Sequence, residues 1–239
     1  MSYKIGEVIR DHLGQEFCYV PAGPFLGGVE GKDRLSLPAA FLIGRHPVTA
    51  GMFQAFLRAT KHPYAAEDLA LLQQMSPMPD CPACNVSWDD AKAFCRWLRG
   101  KTGEYYALPQ VDEWEKAARG EDGRLYPWGN AVPEHDLAYF DHADAGTTSQ
   151  IGRRPGGASV YGCQDMAGNV WEWTLDSFND ERDLHVLKGG SWQNPATHLE
   201  NGARLFSYPP SKRRTYMGFR VVYLPAELYS VYMAAYEQN

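Results

Sequence analysis

The sequence predicts a single α+β domain over residues 1–239, built from short strands and short helices. Three observations predict this class. Apolar residues recur at helical spacing in only a few stretches, and other apolar runs have the length of strands. In addition, 23 glycines and 16 prolines interrupt the regular elements. Because no repeat and no change in composition marks a linker, we expect one domain rather than two.

Strands are predicted first, near the amino terminus. The apolar runs Phe17–Val20, Phe25–Gly28 and Phe41–Gly44 each have the length of a strand and are followed by turn residues or glycine. The aromatic content of 13% indicates that large rings fill much of the core behind these strands.

Helices follow in the middle of the chain, each with a start signal. Thr49 is placed to cap a helix over Ala50–Thr60, and Ser87 with Asp90 has the spacing of a capping box. We expect the second helix to end at Gly100. A third helix is predicted over Val111–Arg119, where Gly120 follows.

The second half of the chain is predicted to be less regular. Residues 121–162 show no sustained period, so local hydrogen bonds, ions or packed aromatic rings would have to fix them. Strand-like runs return at Val170–Thr174, Val186–Trp192 and Phe219–Tyr223, and residues 225–239 fit one amphipathic helix.

Charge and composition exclude some classes of function. The net charge of −6 argues against a nucleic-acid-binding protein that relies on overall basic charge. No apolar run reaches the roughly 20 residues of a membrane span. The polar start offers no apolar stretch of a signal peptide, so we expect a cytoplasmic protein whose five cysteines are thiols.

Several short motifs together resemble one enzyme family. In chain order they are Tyr19–Phe25, Pro47–Thr49, Val86–Ala91, Leu108–Pro109, Glu113–Glu115, Ala117–Gly120, Tyr126–Gly129, Asp165–Trp173, Gly189–Trp192 and Gly218–Arg220. This order is similar to that of the formylglycine-generating enzyme (sulfatase-modifying factor) family. The resemblance implies a C-type-lectin-like fold with little regular secondary structure, a small twisted sheet and two to three helices.

The family hosts more than one activity, so its fold does not settle the function. The resemblance implies three candidates: a copper-dependent oxidase that converts a sulfatase cysteine into formylglycine, iron-dependent enzymes that form C–S bonds, and non-catalytic binding proteins. The last group includes the variable proteins of diversity-generating retroelements.

The missing thiols argue against the first of these candidates. The resemblance implies that the oxidase holds Cu(I) with two cysteines between the Gly-Gly-Ser and Gly-Phe-Arg motifs, and thiolates are the soft ligands that Cu(I) selects. No cysteine follows Cys163, so we expect no copper and no formylglycine-generating activity. We therefore expect a non-catalytic ligand- or protein-binding module, in its narrowest form a retroelement variable protein. The alternative is a metal-dependent oxygenase or tautomerase-like enzyme of the same family that uses a non-thiol site.

The same interval supplies the expected binding residues. Tyr, Trp and Arg are the types enriched at recognition hot spots, and in the family this segment lines the ligand cleft. The predicted ligand-binding residues are Trp192, His198, Arg204, Tyr208, Arg213, Arg214 and Tyr216. The expected partner is a protein or a small molecule at the 192–216 surface, with neither nucleic acid nor membrane involved.

Two metal sites are considered. The resemblance implies a structural calcium ion, and calcium requires six to eight oxygen ligands. The resemblance implies two side-chain oxygens and two backbone carbonyls as its ligands, at Asp165, Gly168, Val170 and Glu172. Cys81 and Cys84 have the spacing of half a zinc site or of a redox pair, but no second pair accompanies them, so inert thiols remain the favoured interpretation.

Overall fold

A five-stranded antiparallel sheet organises the core in the computed structural model, which describes residues 3–144, 146–179 and 183–237. In spatial order its strands are β1 (Val8–Arg10), β2 (Glu16–Val20), β5 (Phe41–Gly44), β11 (Val222–Leu224) and β6 (Tyr105–Ala107). Side chains alternate between the two faces of a strand. In β5, Leu42 therefore packs into one core cluster, and Phe41 and Ile43 pack into a second cluster. This central strand is buried on both faces.

A second sheet carries the motifs of the carboxyl-terminal half. Its order is β10 (Met217–Gly218), β7 (Trp171–Asn179), β8 (Leu184–Lys188) and β9 (Phe206–Tyr208). Strands β10 and β7 run parallel with Met217 opposite Trp171, and β8 pairs antiparallel with both β7 and β9. A separate hairpin joins β3 (Gly23–Gly27) to β4 (Asp33–Leu37).

Five α-helices lie within the described residues, more than the two to three that the resemblance implied. They are α1 (Ala50–Thr60), α2 (Ala66–Met75), α3 (Trp88–Thr102), α4 (Val111–Arg119) and α5 (Ala226–Glu237). The predicted caps are confirmed. Thr49 Oγ1 accepts from the Met52 N–H at 3.3 Å, and Ser87 and Asp90 form a reciprocal capping box.

Helix α3 does not end at Gly100, as the sequence had predicted. Gly100 stays inside the helix, and the chain leaves it at Gly103, whose φ is +75°. The Gly103 N–H donates to the Arg99 carbonyl at 2.8 Å, which closes the last turn. A glycine ends a helix only where the backbone turns left-handed, and here that position is three residues later.

Two predicted strands are shorter or divided. The predicted strand Val186–Trp192 ends at Lys188, since Gly189 adopts a φ of +98°. Of the run Phe219–Tyr223, only Val222 and Tyr223 lie in a strand, β11, and residues 219–221 link it to β10. The Phe219 carbonyl between them accepts from the Val48 N–H at 2.9 Å, so this link remains tied to the segment before α1.

Residues 121–162 are irregular, as predicted, apart from a single 3₁₀ turn at Pro155–Gly157 in their described part. Aromatic stacking and local hydrogen bonds fix this segment. The rings of Tyr126 and Trp128 stack with centroids 5.2 Å apart. Asn169 exchanges two hydrogen bonds with the backbone of Ser149, at 2.9 and 3.0 Å. Among the helices of the described ranges, none is long and apolar enough to cross a bilayer.

Candidate functional site

The interval between the Gly-Gly-Ser and Gly-Phe-Arg motifs contains aromatic rings instead of thiols. All five cysteines lie outside residues 192–217, and each is buried and free. Cys84, for example, accepts a hydrogen bond from the Ser76 hydroxyl at 3.2 Å. Burial raises the pKa of the Cys84 thiol to about 12, so it stays protonated at neutral pH. The interval therefore offers no thiolate ligands for Cu(I).

Four side chains of this interval form a continuous surface that we call the aromatic surface: His198, Phe206, Tyr208 and Tyr216. The Phe206 ring lies 6.0 Å from the His198 ring and 6.3 Å from the Tyr208 ring, measured between centroids. All four side chains are partly exposed. Partly exposed rings that pack on one another keep their orientation and still offer contact area to a partner.

The fully buried Trp171 of β7 supports the aromatic surface from beneath. Its ring meets Phe206 edge-to-face at 5.2 Å and lies 6.3 Å from the His198 ring. The Trp171 Nε1–H donates to Asn194 Oδ1 at 2.7 Å, which fixes the indole. The aromatic surface thus lies on a rigid strand rather than on a free loop.

Two phenol groups form the polar edge of this surface. The hydroxyls of Tyr208 and Tyr216 lie 3.2 Å apart. Burial, followed by the hydrogen bond to Tyr208, raises the pKa of Tyr216 to about 12, so its phenol remains neutral under physiological conditions. Arg214, which lowers that pKa slightly, is exposed beside it. The edge therefore combines neutral O–H groups with one exposed cation.

Two of the predicted ligand-binding residues lie away from the aromatic surface. Trp192 is 5% exposed and packs in a core cluster with Met75, Cys84 and Val170. Arg204 is exposed, and its guanidinium lies 3.3 Å from Asp112 at the start of α4. Trp192 is therefore a core residue, and Arg204 belongs to a different charge cluster.

Arg213 also binds side chains outside the aromatic surface. Its guanidinium donates to both carboxylate oxygens of Asp90, at 2.7 and 2.8 Å, and to Asp68 at 3.0 Å. It also covers the Tyr64 ring at 4.8 Å. Because a bidentate pair with a buried carboxylate holds the guanidinium in place, Arg213 anchors the loop to α3 and is not available to a ligand.

The buried Asp90 carboxylate contacts both Arg213 and His62. Burial pushes its pKa up, but hydrogen bonds from Arg213 and His62 outweigh burial and hold the pKa below the ordinary value. The His62 Nε2 lies 2.8 Å from Asp90 Oδ1. The charged form of Asp90 thus contributes to the stability of the fold.

Of the four residues predicted to bind calcium, Glu172 already has a cationic partner. Both carboxylate oxygens of Glu172 accept from the Arg220 guanidinium, at 2.6 and 2.7 Å, and Trp114 Nε1–H donates to one of them at 2.6 Å. A cation at Glu172 would have to displace another cation from a fully buried position. Glu172 is therefore one half of a buried ion pair, and its role as a calcium ligand stays an untested prediction.

The other three predicted ligands make backbone or core contacts. Asp165 Oδ2 accepts from the Gly152 N–H at 2.8 Å, and the Gly168 N–H donates to the Gly189 carbonyl at 2.8 Å. The Val170 side chain is buried in the cluster with Trp192. In the part of the chain that is described, no group of three or more His, Cys, Asp or Glu side chains could hold a metal ion.

A sequence signal for the Arg220–Glu172 pair did exist. Glu172 and Arg220 are charged residues within apolar runs that predict strands, and buried charged side chains are normally paired. The two opposite charges could have been assigned to each other. Instead, the resemblance led to the calcium interpretation.

Comparison with known proteins identifies a family. A family model described as "Sulfatase-modifying factor enzyme 1-like domain" matches residues 6–224. The bovine "Inactive C-alpha-formylglycine-generating enzyme 2" (Bos taurus) is 35% identical over 153 residues, which cover 58% of this chain and 49% of that protein. The "Hercynine oxygenase" of Mycolicibacterium thermoresistibile is 31% identical over 170 residues, covering 61% of this chain and 36% of that protein. The chain thus aligns with half or less of the length of these two relatives.

Solved structures agree with the fold. PvdO from Pseudomonas aeruginosa superposes with a TM-score of 0.77 at 25% identity, covering 94% of this chain and all of that chain (100%). Treponema denticola variable protein 1 superposes with a TM-score of 0.67 at 21% identity, covering 93% and 98% of the two chains. The prediction of an α+β, C-type-lectin-like fold of the formylglycine-generating type is confirmed.

Proposed function

The chain belongs to the sulfatase-modifying factor enzyme 1-like domain family, and from that membership and the site described above we propose that it is a non-catalytic ligand- or protein-binding module. The observation that carries this proposal is the aromatic surface. It occupies the interval in which the oxidase of the family would need its pair of thiols. A relative that is named as an inactive formylglycine-generating enzyme supports the proposal.

The chemistry of the aromatic surface indicates how it would bind. Phe206 and Tyr208 present ring area, the Tyr208 and Tyr216 hydroxyls donate or accept hydrogen bonds, and Arg214 adds an exposed cation. Tyrosine and arginine dominate recognition hot spots because they combine area with polar reach. A partner with a flat apolar group beside an anionic or polar group matches this arrangement.

A narrower form of the proposal is that the chain is a variable protein of a diversity-generating retroelement. The fold of Treponema denticola variable protein 1 supports this form at the level of fold alone. It requires that codons of the 198–216 segment differ between clonal isolates while those of β7 do not. Deep sequencing of the gene in one population tests this, and an invariant segment would contradict it.

The alternative is an oxygenase or tautomerase-like enzyme with a non-thiol site, which the hercynine oxygenase relative supports in part. A mononuclear iron site of such an enzyme would need three converging ligands. Of the predicted site residues, His198 is the one metal-ligating side chain on the aromatic surface. Anaerobic addition of Fe(II) followed by O₂ tests the alternative. Oxygen consumption that a His198→Ala variant abolishes would favour it.

Site-specific photo-crosslinking tests the binding proposal. With p-benzoylphenylalanine at position 208, the protein is expressed in its native host and irradiated, and cross-linked species are identified by mass spectrometry. The matched control carries the same group at Tyr229, which is similarly exposed but lies on α5. The proposal expects a discrete adduct from position 208 that Tyr216→Ala weakens. Equal adduct patterns from both positions would overturn it.

A further inference from the structure

A cavity that shares no lining residue with the aromatic surface is the strongest feature that the proposed function does not use. It has a volume of about 270 Å³ and lies where β2, the end of β5 and the first turn of α1 meet. Phe17, Val48, Met52 and Val221 form its apolar walls. Its polar side chains include Gln15 and His46. A small, mostly apolar cavity with a few converging polar groups is the usual form of a small-molecule site.

An acidic side chain, that of Asp165, lies beside His46. Its Nδ1 is buried, makes no hydrogen bond within the described residues, and lies 3.6 Å from Asp165 Oδ2. The Asp165 side chain is 5% exposed, whereas that of His46 is 17% exposed. A carboxylate beside one ring nitrogen favours the tautomer with the proton on that nitrogen. Nε2, the other nitrogen of His46, is then left as a hydrogen-bond acceptor.

Asp165 is itself fixed, so the pair does not depend on a flexible side chain. The Gly152 N–H donates to Asp165 Oδ2 at 2.8 Å, and the Asp165 carbonyl accepts from the Arg220 guanidinium at 3.3 Å. The Asp165 backbone has a φ of +54°, a conformation that non-glycine residues rarely adopt.

Among the described residues, the cavity offers no cation and no free helix terminus to an anionic ligand. No lysine or arginine lines it, and the Glu16 carboxylate on its wall is paired with Arg10 and Arg45. The first amide groups of α1 are already used. Those of Ala50 and Gly51 donate to the Cys81 and Pro79 carbonyls, and that of Met52 donates to Thr49. The ligand that fits is therefore uncharged.

We propose that this cavity binds a small uncharged ring compound that carries one O–H or N–H donor, and that the compound donates this hydrogen bond to His46. The apolar walls contact the faces of the ring, and Asp165 favours the His46 tautomer in which Nε2 is the acceptor. This site is independent of the aromatic surface, and either can fail without the other.

Fluorine NMR of 4-fluorophenol with the folded protein tests the proposal. The ¹⁹F shift of 4-fluorophenol should change saturably. Fluorobenzene, which lacks the donor, should bind at least about tenfold more weakly. A tenfold change in affinity is what one hydrogen bond of typical strength supplies. The anion 4-fluorobenzoate should not saturate.

Variants separate the hydrogen bond from the cavity. His46→Leu should weaken the binding of 4-fluorophenol to the level of fluorobenzene. Met52→Trp, at the half-buried rim of the cavity, should block the binding of both probes. His12→Leu, which changes an exposed histidine, is the control and should leave binding unchanged. The proposal is overturned if 4-fluorophenol gives no saturable shift with the wild type. It is equally overturned if both His46→Leu and Met52→Trp bind it as tightly as the wild type.

Discussion

Replacing Glu172 with Gln removes the only carboxylate that contacts the Arg220 guanidinium within the described residues. Glu172 and Arg220 are both fully buried, and two hydrogen bonds of 2.6 and 2.7 Å join them. The Gln oxygen can still accept from Trp114 and from Arg220 Nε, but its NH₂ group then faces the guanidinium. An uncompensated charge remains in the core, and breaking a buried pair in this way typically costs about 3–5 kcal/mol.

The expected loss lies near the lower end of this range. Arg220 keeps hydrogen bonds to the carbonyls of Gly44 and Gln164, at 2.9 and 3.0 Å, so part of its polar contact survives the substitution. At this chain length each kcal/mol shifts the melting temperature by about 2–4 °C. We expect Glu172→Gln to lower the melting temperature by about 6–12 °C.

Thermal unfolding followed by circular dichroism measures this effect. Glu134→Gln, which removes an exposed carboxylate, is the matched control and should shift the melting temperature by no more than about 2 °C. Calcium should leave the wild-type melting temperature unchanged in a metal-stripped sample, because both Glu172 oxygens already accept from the Arg220 guanidinium. A Glu172→Gln protein that melts with the control, or a wild type that calcium stabilises by several degrees, would refute this reasoning.

Three further predictions concern stability and activity. Asp90→Asn should destabilise the protein at neutral pH. The folded pKa of Asp90 lies below the ordinary carboxyl value of about 3.9. The difference in unfolding free energy between wild type and variant should therefore be complete above that pH and should vanish as acid protonates Asp90. Urea unfolding at several pH values measures this difference. Gly100→Ala should stabilise α3 by about 0.5–1 kcal/mol, since nothing lies within 4 Å of the added methyl group. Gly103→Ala should instead destabilise the protein, because the φ of Gly103 is positive. Equal effects of the two substitutions in chemical denaturation would contradict the position of the helix end. A Cys-x-Pro-x-Arg peptide incubated with the copper-loaded protein should keep its thiol, and an aldehyde product in its mass spectrum would contradict the absence of oxidase activity.

Helices with local start signals could be predicted from the sequence. Thr49 and Ser87 bond to amides only three residues away, so a short window contains the whole interaction. Helix α2 lacks such a signal, because its cap position Ala65 has no side chain that can accept a hydrogen bond. Tertiary packing of Leu72 and Met75 specifies this helix instead, and the local pattern did not show it.

The membership of the candidate site could be predicted only in part. His198, Tyr208 and Tyr216 do lie together, since strand pairing and the support of Trp171 gather them. Arg213 could not be excluded from sequence, because its partner Asp68 lies 145 residues away. Residue type predicts what a side chain can contact, but its partner depends on pairings between distant segments.

The central claim is that the aromatic surface recognises a partner and contributes little to folding. Affinity capture from the native host, quantified by mass spectrometry, compares the wild type with a Tyr208→Ala, Arg214→Ala, Tyr216→Ala triple variant and with a Tyr229→Ala control. Hot-spot truncations typically cost at least about 2 kcal/mol of binding, so we expect the triple variant to lose a partner that both the wild type and the control retain. Its melting temperature should stay within a few degrees of the wild type. Undiminished capture by a folded triple variant would contradict the claim, and so would a triple variant that no longer folds.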